Sequence, residues 1–363
     1  LIFFLIFFLI PESLVAVLSI CSTVSISGWI NCVTSIPIEF AVSIILFERN
    51  CINKDNLKNL TKELKEINHQ NIPILIDQEG GRVSRLNFKG VNKFKSNLFF
   101  GKIIEKDADL GFELLRLNTE ILAHTLKELG INTNTVPVLD LPTANESGVI
   151  GDRAFSINER TVSKAGKIVI ETNNKCGIAS VIKHLPGHGR ARVDSHFEMP
   201  EVDEIEDELL STDFKPFQNN SDALLGMTAH ILFKSLDDQN IATFSKKIIE
   251  TIIRNKIGFK GLLMTDDISM KAISDDVDIA ALKSLSAGCD LVLHCNGNIN
   301  EINKIAERIK NEAEPILIPD DLINIYQTKS DFVHEENIKA YEYLTKQLWC
   351  ILSYINIICY IIK

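Results

Sequence analysis

Several common sequence signals are absent from this chain of 363 residues. None of its eight cysteines forms a Cys-x-x-Cys pair, so a zinc ribbon is not indicated. No strand-like segment is followed by Gly-x-Gly-x-x-Gly, and no P-loop is present, so the fingerprints of nucleotide-binding folds are missing. Basic residues are also in deficit, since 38 Lys and Arg face 48 Asp and Glu and leave a net charge of −10. Phosphate binding needs a basic face, so we expect no nucleic-acid partner.

Charge is scarce at both ends of the chain. From Leu1 to Ile38 the only charged residue is Glu12, and residues 349–362 carry no charge. A signal peptide needs a basic start, but the first basic residue is Arg49. Residues 13–32 approach the ~20 apolar residues of a transmembrane helix but are rich in Ser and Thr.

We therefore divide the chain into an atypical apolar segment over residues 1–40, a catalytic domain over residues 41–348 and an apolar tail over residues 349–363. Non-native sequence is our first interpretation of the two ends, a membrane anchor through residues 1–38 the second, and cryptic core elements the third. Membrane contact is not the favoured reading. The cysteines lie scattered, several beside apolar runs, which fits buried thiols in a reducing compartment. We expect a cytoplasmic protein.

Between the ends, apolar strand-like runs alternate with amphipathic helix-like segments. The predicted strands are 42–47, 73–76, 131–139, 178–182, 223–228, 261–264 and 290–293. The predicted helices are 53–67, 108–129, 159–176, 245–257, 277–287, 300–310 and 319–348. Apolar strands separated by amphipathic helices indicate a parallel sheet covered on both faces. We predict an α/β fold, a TIM-like (β/α)8 barrel in a single catalytic domain with one strand unidentified; a doubly wound open sheet is the alternative.

Polar side chains collect where the predicted strands end. They are Asp77, Asp140, Lys183 with His184, His230, Asp266 with Asp267, and His294. One aspartate at such a position is more often a helix cap. Capping does not account for so many polar strand ends, and the carboxyl ends of barrel strands meet at one rim. We therefore expect these side chains to converge on one pocket.

Two of these features suggest a reaction. Asp266 follows an apolar strand, which would hold its carboxylate rigidly enough to act as a nucleophile. Asp194 lies two residues before His196, and a carboxylate beside an imidazole fixes its tautomer and raises its basicity. A nucleophilic carboxylate with a general acid/base is what retaining glycoside hydrolysis requires, although the acid/base there is usually Asp or Glu.

A metal hydrolase is the competing interpretation of the same residues. Its metal ligands would be drawn from three histidines and two aspartates: His184, His188, His196, Asp266 and Asp267. No His-x-His or His-Glu-x-x-His pair is present, so this hypothesis ranks below glycoside hydrolysis.

Seven motifs in register resemble the bacterial β-N-acetylglucosaminidases of glycoside hydrolase family 3, the NagZ type. They are Ile44–Asn50, Ile76–Arg85, Pro137–Asp140, Gly151–Phe155, Lys183–Gly189, Asp194–His196 and Thr265–Met270. The resemblance spans roughly residues 42–296. It departs from the family over residues 1–40, where a first strand and helix should lie, and the loop at Arg190–Val193 matches least well.

The resemblance implies a role for each motif. Asp266 matches the nucleophile, and His196 with Asp194 matches the acid/base dyad on a mobile loop. Five further residues match those that bind the hydroxyls of the terminal N-acetylglucosamine in the family: Asp77, Arg85, Arg153, Lys183 and His184. The resemblance further implies N-acetylglucosamine-containing muropeptides as substrates, in cytoplasmic cell-wall recycling, and a TIM-like barrel without metal or cofactor. We also expect a monomer.

Structural readings of single residues stay open beside these roles. Arg85 or Arg153 would otherwise form a surface ion pair, Gly80-Gly81 a simple turn, and Asp267 a backbone-binding carboxylate. We interpret His188 as shaping its loop. The alternative functions are a related family 3 β-glycosidase, a glycosyl phosphorylase, since a neutral imidazole repels phosphate less than a carboxylate does, or a catalytically impaired sugar-binding homologue.

Overall fold

A computed structural model describes most of the region between the two apolar ends. The described residues are 16–19 (backbone only), 43–67, 72–143, 149–191, 193, 199–310, 318–329 and 335–346. Among these, no helix combines the length and the apolar character needed to cross a membrane.

Most of the described strands form one curled parallel sheet. The strands are β1 Ala16–Ser19, β2 Ser43–Leu46, β3 Ile74–Ile76, β4 Thr133–Asn134, β5 Ala179–Leu185, β6 Glu201–Val202, β7 Leu225–Thr228, β8 Leu232–Phe233, β9 Leu262–Asp267 and β10 Leu291–His294. Seven of them lie in the order β10-β9-β7-β5-β4-β3-β2, and every pair is parallel. A separate parallel pair joins β6 to β8.

The backbone of β1 pairs in parallel with both edges of this sheet, β2 and β10, so the strand order is that of a closed ring. β1 falls in residues 1–40, where the sequence identified no strand. The helix that a (β/α)8 barrel places after this strand would fall in residues 20–42, outside the described part. An α/β fold with a curled parallel sheet is therefore established, whereas the complete (β/α)8 pattern remains a prediction.

The described helices follow the strands in alternation. They are Lys54–Ile67, Asn97–Ile104, Ala108–Glu128, Glu159–Cys176, Glu206–Ser211, Lys215–Gln218, Val277–Ala287, Ile299–Ile309, Asp320–Gln327 and 335–346, with a π-helix at Ile248–Ile257 and 3-10 turns at Glu48–Asn50, Gly151–Arg153 and Ala242–Phe244. Local signals set several boundaries. The Asn158 side chain accepts from the Arg160 and Thr161 amides, and Gly177 ends the same helix in the left-handed conformation.

Alternation along the strands separates two cores. In β2, Ile44 and Leu46 pack with Leu57 and Leu64 of the following helix, while Ile45 faces the sheet's inner side. The inner cluster also takes in Leu75, Val181, Leu225, Met227, Met264 and Leu293. Side chains alternate faces along a strand, so a fully apolar run serves both the inner core and the helix layer.

Three predicted strands differ most from the observed ones, and β10 also extends one residue past its predicted end, to His294. The predicted strand 131–139 pairs continuously only at Thr133–Asn134, because Pro137 has no amide hydrogen to donate, although Val138 again bridges Lys183. Conversely, β5 and β9 continue beyond their predicted ends at 182 and 264. Lys183, His184 and Asp266 therefore lie within strands rather than after them, and the ladders hold their backbones.

The helix Asn97–Ile104 was not predicted from the sequence. Six of its eight residues are buried, so it lacks the polar face that reveals an amphipathic helix. The predicted helix 319–348 is observed as Asp320–Gln327 and 335–346. Ser245 acts as the predicted cap, since its hydroxyl accepts from the Ile248 amide.

Close packing of the helix Asn97–Ile104 generates a stability prediction. A Cβ on Gly101 would lie 1.6 Å from the Phe155 carbonyl oxygen. A backbone carbonyl cannot move aside as a side chain can. Gly101→Ala should therefore lower the free energy of unfolding by ~1–3 kcal/mol. Chemical denaturation measures it, with the exposed neighbour Lys102→Ala as control, expected within ~0.5 kcal/mol of wild type. Equal midpoints for Gly101→Ala and wild type would show that the helix does not sit this close.

Candidate active site

The carboxyl ends of the strands surround a cavity of about 560 Å³. All six of the described residues that the sequence predicted for the site line it: Asp77, Arg85, Arg153, Lys183, His184 and Asp266. They come from β5, β9 and the segments that follow β3 and β4, which are far apart in the chain. Of the polar strand ends predicted to converge on one pocket, five line this cavity: Asp77, Lys183, His184, Asp266 and Asp267. Asp140, His230 and His294 are not among the lining residues.

A buried ion cluster forms the floor of one side of the cavity. The Lys183 ammonium lies 3.0 Å from Asp77 Oδ1 and 2.8 Å from Glu79 Oε1, and its side chain is 3% exposed. Arg153 binds Glu79 through two parallel hydrogen bonds of 2.9 Å. Arg85 Nη2 lies 3.0 Å from Asp77 Oδ2. The five side chains thus form a continuous chain of alternating charge.

Each arginine therefore has a role in the cavity rather than on the surface. Arg153 is 16% and Arg85 26% exposed, so the interpretation of either as a surface ion pair is wrong. The Arg85 guanidinium also lies over the Phe47 ring, 5.2 Å from its centroid, and Phe47 lines the cavity. The ring covers one face of the guanidinium and leaves N–H donors at its edge for a ligand.

The ion cluster keeps its carboxylates ionised. Burial by itself raises the pKa of Asp77, but the charges of Lys183 and Arg85 outweigh it and lower that pKa well below its usual range. The pKa of Glu79 falls to about 2, because the charges of Arg153 and Lys183 likewise outweigh burial. The pKa of Lys183 is raised, since Asp77 and Glu79 overcome its desolvation. Charge pairing thus dominates over burial for all three groups.

His184 is oriented by Asp140, which the sequence placed among the polar strand ends expected at the pocket but to which it gave no role in the site. Its Nδ1 lies 2.7 Å from Asp140 Oδ2, and Asp140 Oδ1 accepts from the backbone amides of His184 and His188. Asp140 was noticed only as a polar strand end. The pKa of Asp140 is lowered because the charge of His184 offsets the effect of burial. A fixed Nδ1 partner turns Nε2 of His184 toward Arg153 and the cavity.

Glu79 is the second residue that sequence reasoning missed. It lies in the Ile76–Arg85 motif, but nothing in the sequence shows that its side chain pairs with Lys183 and Arg153. The neighbouring Gly80 and Gly81 have φ values of 93° and 60°. A Cβ on Gly80 would lie 2.2 Å from the Lys95 carbonyl oxygen, so this turn needs glycine to bring Glu79 into place.

Asp266 lies at the end of β9 and faces the same cavity. Burial raises its pKa, but the charges of His184 and His230 more than compensate, so the pKa is lowered and the group is a carboxylate at neutral pH. Oδ1 accepts from the Asp267 amide at 2.8 Å. An oriented, ionised carboxylate with one oxygen not bonded by any described residue is chemically suited to attack an electrophilic carbon.

The neighbouring Asp267 is structural, as interpreted from the sequence. Its Oδ1 accepts from the Ser269 and Cys295 amides and so ties β9 to the end of β10. His230 binds Thr243 Oγ1 and the Asp267 carbonyl oxygen, and burial lowers its pKa. His188 lines the cavity, and burial with the nearby charge of His184 lowers its pKa to about 4.

The two residues of the predicted acid/base dyad, Asp194 and His196, lie outside the described residues. The metal-hydrolase hypothesis includes His196 and is therefore not fully tested. Of the described side chains, no group of three or more His, Cys, Asp and Glu is arranged to hold a metal ion, and this applies to His184, His188, Asp266 and Asp267.

Comparisons with known proteins agree with this geometry. Residues 39–326 match the family described as the glycosyl hydrolase family 3 N terminal domain. A β-hexosaminidase from Hydrogenovibrio crunogenus is 34% identical over 280 residues, which is 75% of this chain and 76% of that protein.

Solved structures are similar over most of the chain. NagZ from Neisseria gonorrhoeae in complex with N-trifluoroacetyl-D-glucosamine has a TM-score of 0.76 at 28% identity, and the similarity covers 92% of this chain and 96% of that one. A glycoside hydrolase family 3 β-N-acetylglucosaminidase from Paenibacillus has a TM-score of 0.75 at 25% identity, covering 90% and 66%.

The ion cluster generates a prediction on stability and pH. Glu79→Gln leaves Lys183 and Arg153 short of one buried negative charge, so it should lower the free energy of unfolding at pH 7 by about 3 kcal/mol. The folded-state pKa of Glu79, about 2, lies below the usual 4.5. Its stabilisation is therefore complete above pH 4.5 and is lost as pH falls toward 2. Chemical denaturation at a series of pH values should therefore show the difference in unfolding free energy between wild type and Glu79→Gln becoming smaller from pH 4.5 toward pH 2.

Glu128 provides a matched control for this experiment. Its pKa is also lowered to about 2, by Lys54 and Lys58, but its side chain is 44% exposed. Glu128→Gln should cost less than ~1 kcal/mol because solvent screens surface pairs. If both variants lost equal stability at pH 7, the Glu79 pairs would not be buried as described.

Proposed function

The chain belongs to glycosyl hydrolase family 3, and from this premise we propose that it is an exo-acting, retaining β-N-acetylglucosaminidase. It is a glycoside hydrolase of the β-N-acetylhexosaminidase type, as its relatives indicate. The finer assignment rests chiefly on one observation: the ionised Asp266 faces the same cavity as a preformed set of polar groups suited to a sugar ring.

We propose that five side chains hold the hydroxyls of the terminal N-acetylglucosamine: Asp77, Arg85, Arg153, Lys183 and His184. Carboxylates accept hydrogen bonds from sugar hydroxyls, and Lys and Arg donate to them. Each cation of the cluster is paired with a carboxylate, which holds its side chain in place. Because strands and ion pairs fix these groups, little reorganisation accompanies binding.

The proposed reaction has two displacement steps on Asp266. In the first, a carboxylate oxygen of Asp266 attacks the anomeric carbon, the bond to the leaving oxygen breaks, and His196 gives its proton to that oxygen. In the second, water gives a proton to His196 and attacks the same carbon, and the bond to Asp266 breaks. Two inversions give net retention. Asp194 is proposed to orient His196 and stabilise its charged form.

The wider assignment is proposed on the sequence resemblance. The substrates are peptidoglycan fragments, anhydromuropeptides with terminal β-1,4-linked N-acetylglucosamine, in cytoplasmic cell-wall recycling by a monomer. Residues 41–348 form the catalytic domain between atypical segments at 1–40 and 349–363. The pairing of β1 with both sheet edges supports a full (β/α)8 barrel.

Loss of the nucleophile tests this function. Asp266→Gly should reduce hydrolysis of p-nitrophenyl β-N-acetylglucosaminide by more than ~10³-fold, because the first bond to carbon can no longer form. Added azide should enter the vacated space and give the α-glycosyl azide. Asp222→Asn, which alters a surface carboxylate paired with Lys167, should keep wild-type rates. Full activity in Asp266→Gly would remove Asp266 from the reaction.

The acid/base assignment has a different signature. His196→Gly should slow hydrolysis by ~10²–10⁴-fold. Azide, which needs no general base, should restore turnover of an activated dinitrophenyl substrate and yield the β-glycosyl azide through the intermediate on Asp266. An α product, or no rescue, would contradict the role of His196.

A further inference from the structure

Asp266 lies in an irregular part of β9. Where β9 pairs with β10, Leu291 lies opposite Met264, whereas Leu293 lies opposite Asp267. Two steps along β10 thus correspond to three steps along β9, so β9 contains one extra residue in this stretch. Such an insertion is a β-bulge, which bends the strand and redirects its side chains. Asp266 lies inside this bulge.

The bulge changes the direction in which side chains of β9 face. Successive side chains of a regular strand point to opposite faces, as Leu263 and Met264 do by packing on the helix side and the inner side of the sheet. The consecutive residues Asp266 and Asp267, by contrast, both line the cavity. One carboxylate therefore faces the cavity while its neighbour on the same rim accepts from the Cys295 amide at the end of β10.

Thr265 binds the paired strand inside the bulge. Its Oγ1 accepts from the Leu293 amide at 2.9 Å, and the residue is fully buried. The ladder of a regular parallel pair joins backbone groups, so this side-chain bond is a feature of the bulge. Thr265 belongs to the Thr265–Met270 motif but does not line the cavity. It can therefore act on a ligand only through the residues that it holds.

The chain on the other side of Asp266 is held from both neighbouring strands. His230, which follows β7, donates from Nε2 to the Asp267 carbonyl oxygen at 3.1 Å, because a carbonyl can only accept. From the β10 side, the Cys295 amide donates to Asp267 Oδ1 at 3.0 Å. Asp266 thus lies between two residues that are bound to the neighbouring strands, Thr265 before it and Asp267 after it.

We infer that Thr265 is a positioning residue for the nucleophile: its hydroxyl, bound to the Leu293 amide, fixes the bulge in β9 that aims the Asp266 carboxylate at the sugar. The Asp267 amide, which donates to Asp266 Oδ1 at 2.8 Å, completes this orientation. The inference rests on the proposed role of Asp266. Attack on carbon depends on placement to within about 1 Å, and misplacement of that size costs up to ~10²-fold in rate.

Two substitutions of Thr265 separate the hydroxyl from the volume of the side chain. Valine has the same branched shape but no oxygen, so Thr265→Val deprives the buried Leu293 amide of this acceptor. Serine keeps the oxygen on a side chain with a less restricted χ1 angle, so Thr265→Ser should keep the hydrogen bond. If the hydroxyl positions the nucleophile, serine should preserve activity and valine should not.

The experiment compares attack by Asp266 with attack by an external nucleophile. For p-nitrophenyl β-N-acetylglucosaminide, kcat/KM includes the attack by Asp266. In Asp266→Gly, azide replaces the carboxylate, and its approach does not depend on how a side chain at position 266 is aimed. Thr265→Val is therefore made in wild type and in Asp266→Gly. Thr61→Val is the control, since Thr61 is also buried and donates to the Leu129 carbonyl oxygen but does not line the cavity.

The expected loss is selective for the enzyme's own nucleophile. Thr265→Val should lower kcat/KM by ~10–100-fold and Thr265→Ser by less than about 3-fold, while Thr61→Val should match wild type. The inhibition constant of N-acetylglucosamine should change by less than about 3-fold in all three variants, because the side chains proposed to bind the sugar lie outside the bulge. With azide, T265V/D266G should react within about 3-fold of the rate of Asp266→Gly.

Three results would overturn the inference while leaving the proposed function intact. Thr265→Val could keep the wild-type kcat/KM, or it could slow the azide reaction by the same factor as hydrolysis, which would indicate a general distortion of the cavity. Thr265→Ser could also lose as much activity as Thr265→Val, and the hydroxyl would then not be the cause. If Thr265→Val does not fold, Thr265→Ala, which removes the same oxygen, is measured in its place with the same expectations.

Failure of the proposed function gives a different pattern. Wild type would then not hydrolyse the substrate, or Asp266→Gly would hydrolyse it at the full rate without azide. Either result would remove the nucleophile that Thr265 is inferred to position, and the inference would fail with it.

Discussion

Burial of the Lys183 ammonium is the constraint from which the rest of the site follows. A charge removed from water is tolerated only when it is paired, and Asp77 and Glu79 both lie within 3.0 Å of it. Each carboxylate then needs a further partner, which Arg85 and Arg153 supply. Every charge in the alternating chain thus has a partner of opposite sign, while donors and acceptors remain unused at the cavity surface. Those unused groups are what a neutral, hydroxyl-rich ring can bind.

The parallel sheet makes this pairing feasible. β3 supplies the turn that carries Asp77 and Glu79, and β5 supplies Lys183 two strands away, with β4 between them. Thr135, just after β4, bridges the gap by hydrogen bonds to Asp77 and Lys183. β9 brings Asp266 to the same rim with no ion pair to any other described residue, so the oxygen proposed to react stays available. The groups proposed to bind and the group proposed to react thus share one scaffold, but only the former are held by ion pairs among the described residues.

Much of this could be predicted because the relevant signals are local. Lys183, His184 and Asp266 interrupt apolar runs, and Asn158 and Gly177 mark helix ends within a few residues. The contacts of Glu79 and Asp140 escaped prediction because they join residues that are distant in the sequence: Glu79 pairs with Arg153, 74 residues further on, and Asp140 binds His184, 44 residues further on. The shortened β4 and the buried helix Asn97–Ile104 escaped for related reasons: one depends on a missing donor at Pro137, the other lacks a polar face.

The proposed intermediate is a covalent bond between Asp266 and the sugar, and this bond can be trapped. A 2,4-dinitrophenyl 5-fluoro-β-N-acetylglucosaminide forms the glycosyl-enzyme readily but releases it slowly, since fluorine destabilises the positively charged transition states and the good leaving group favours the first step. After acid quenching and digestion, peptide mass spectrometry should place one sugar adduct on Asp266. An adduct on another carboxylate, such as Asp77 or Asp267, or unlabelled protein that still turns the substrate over, would contradict the account.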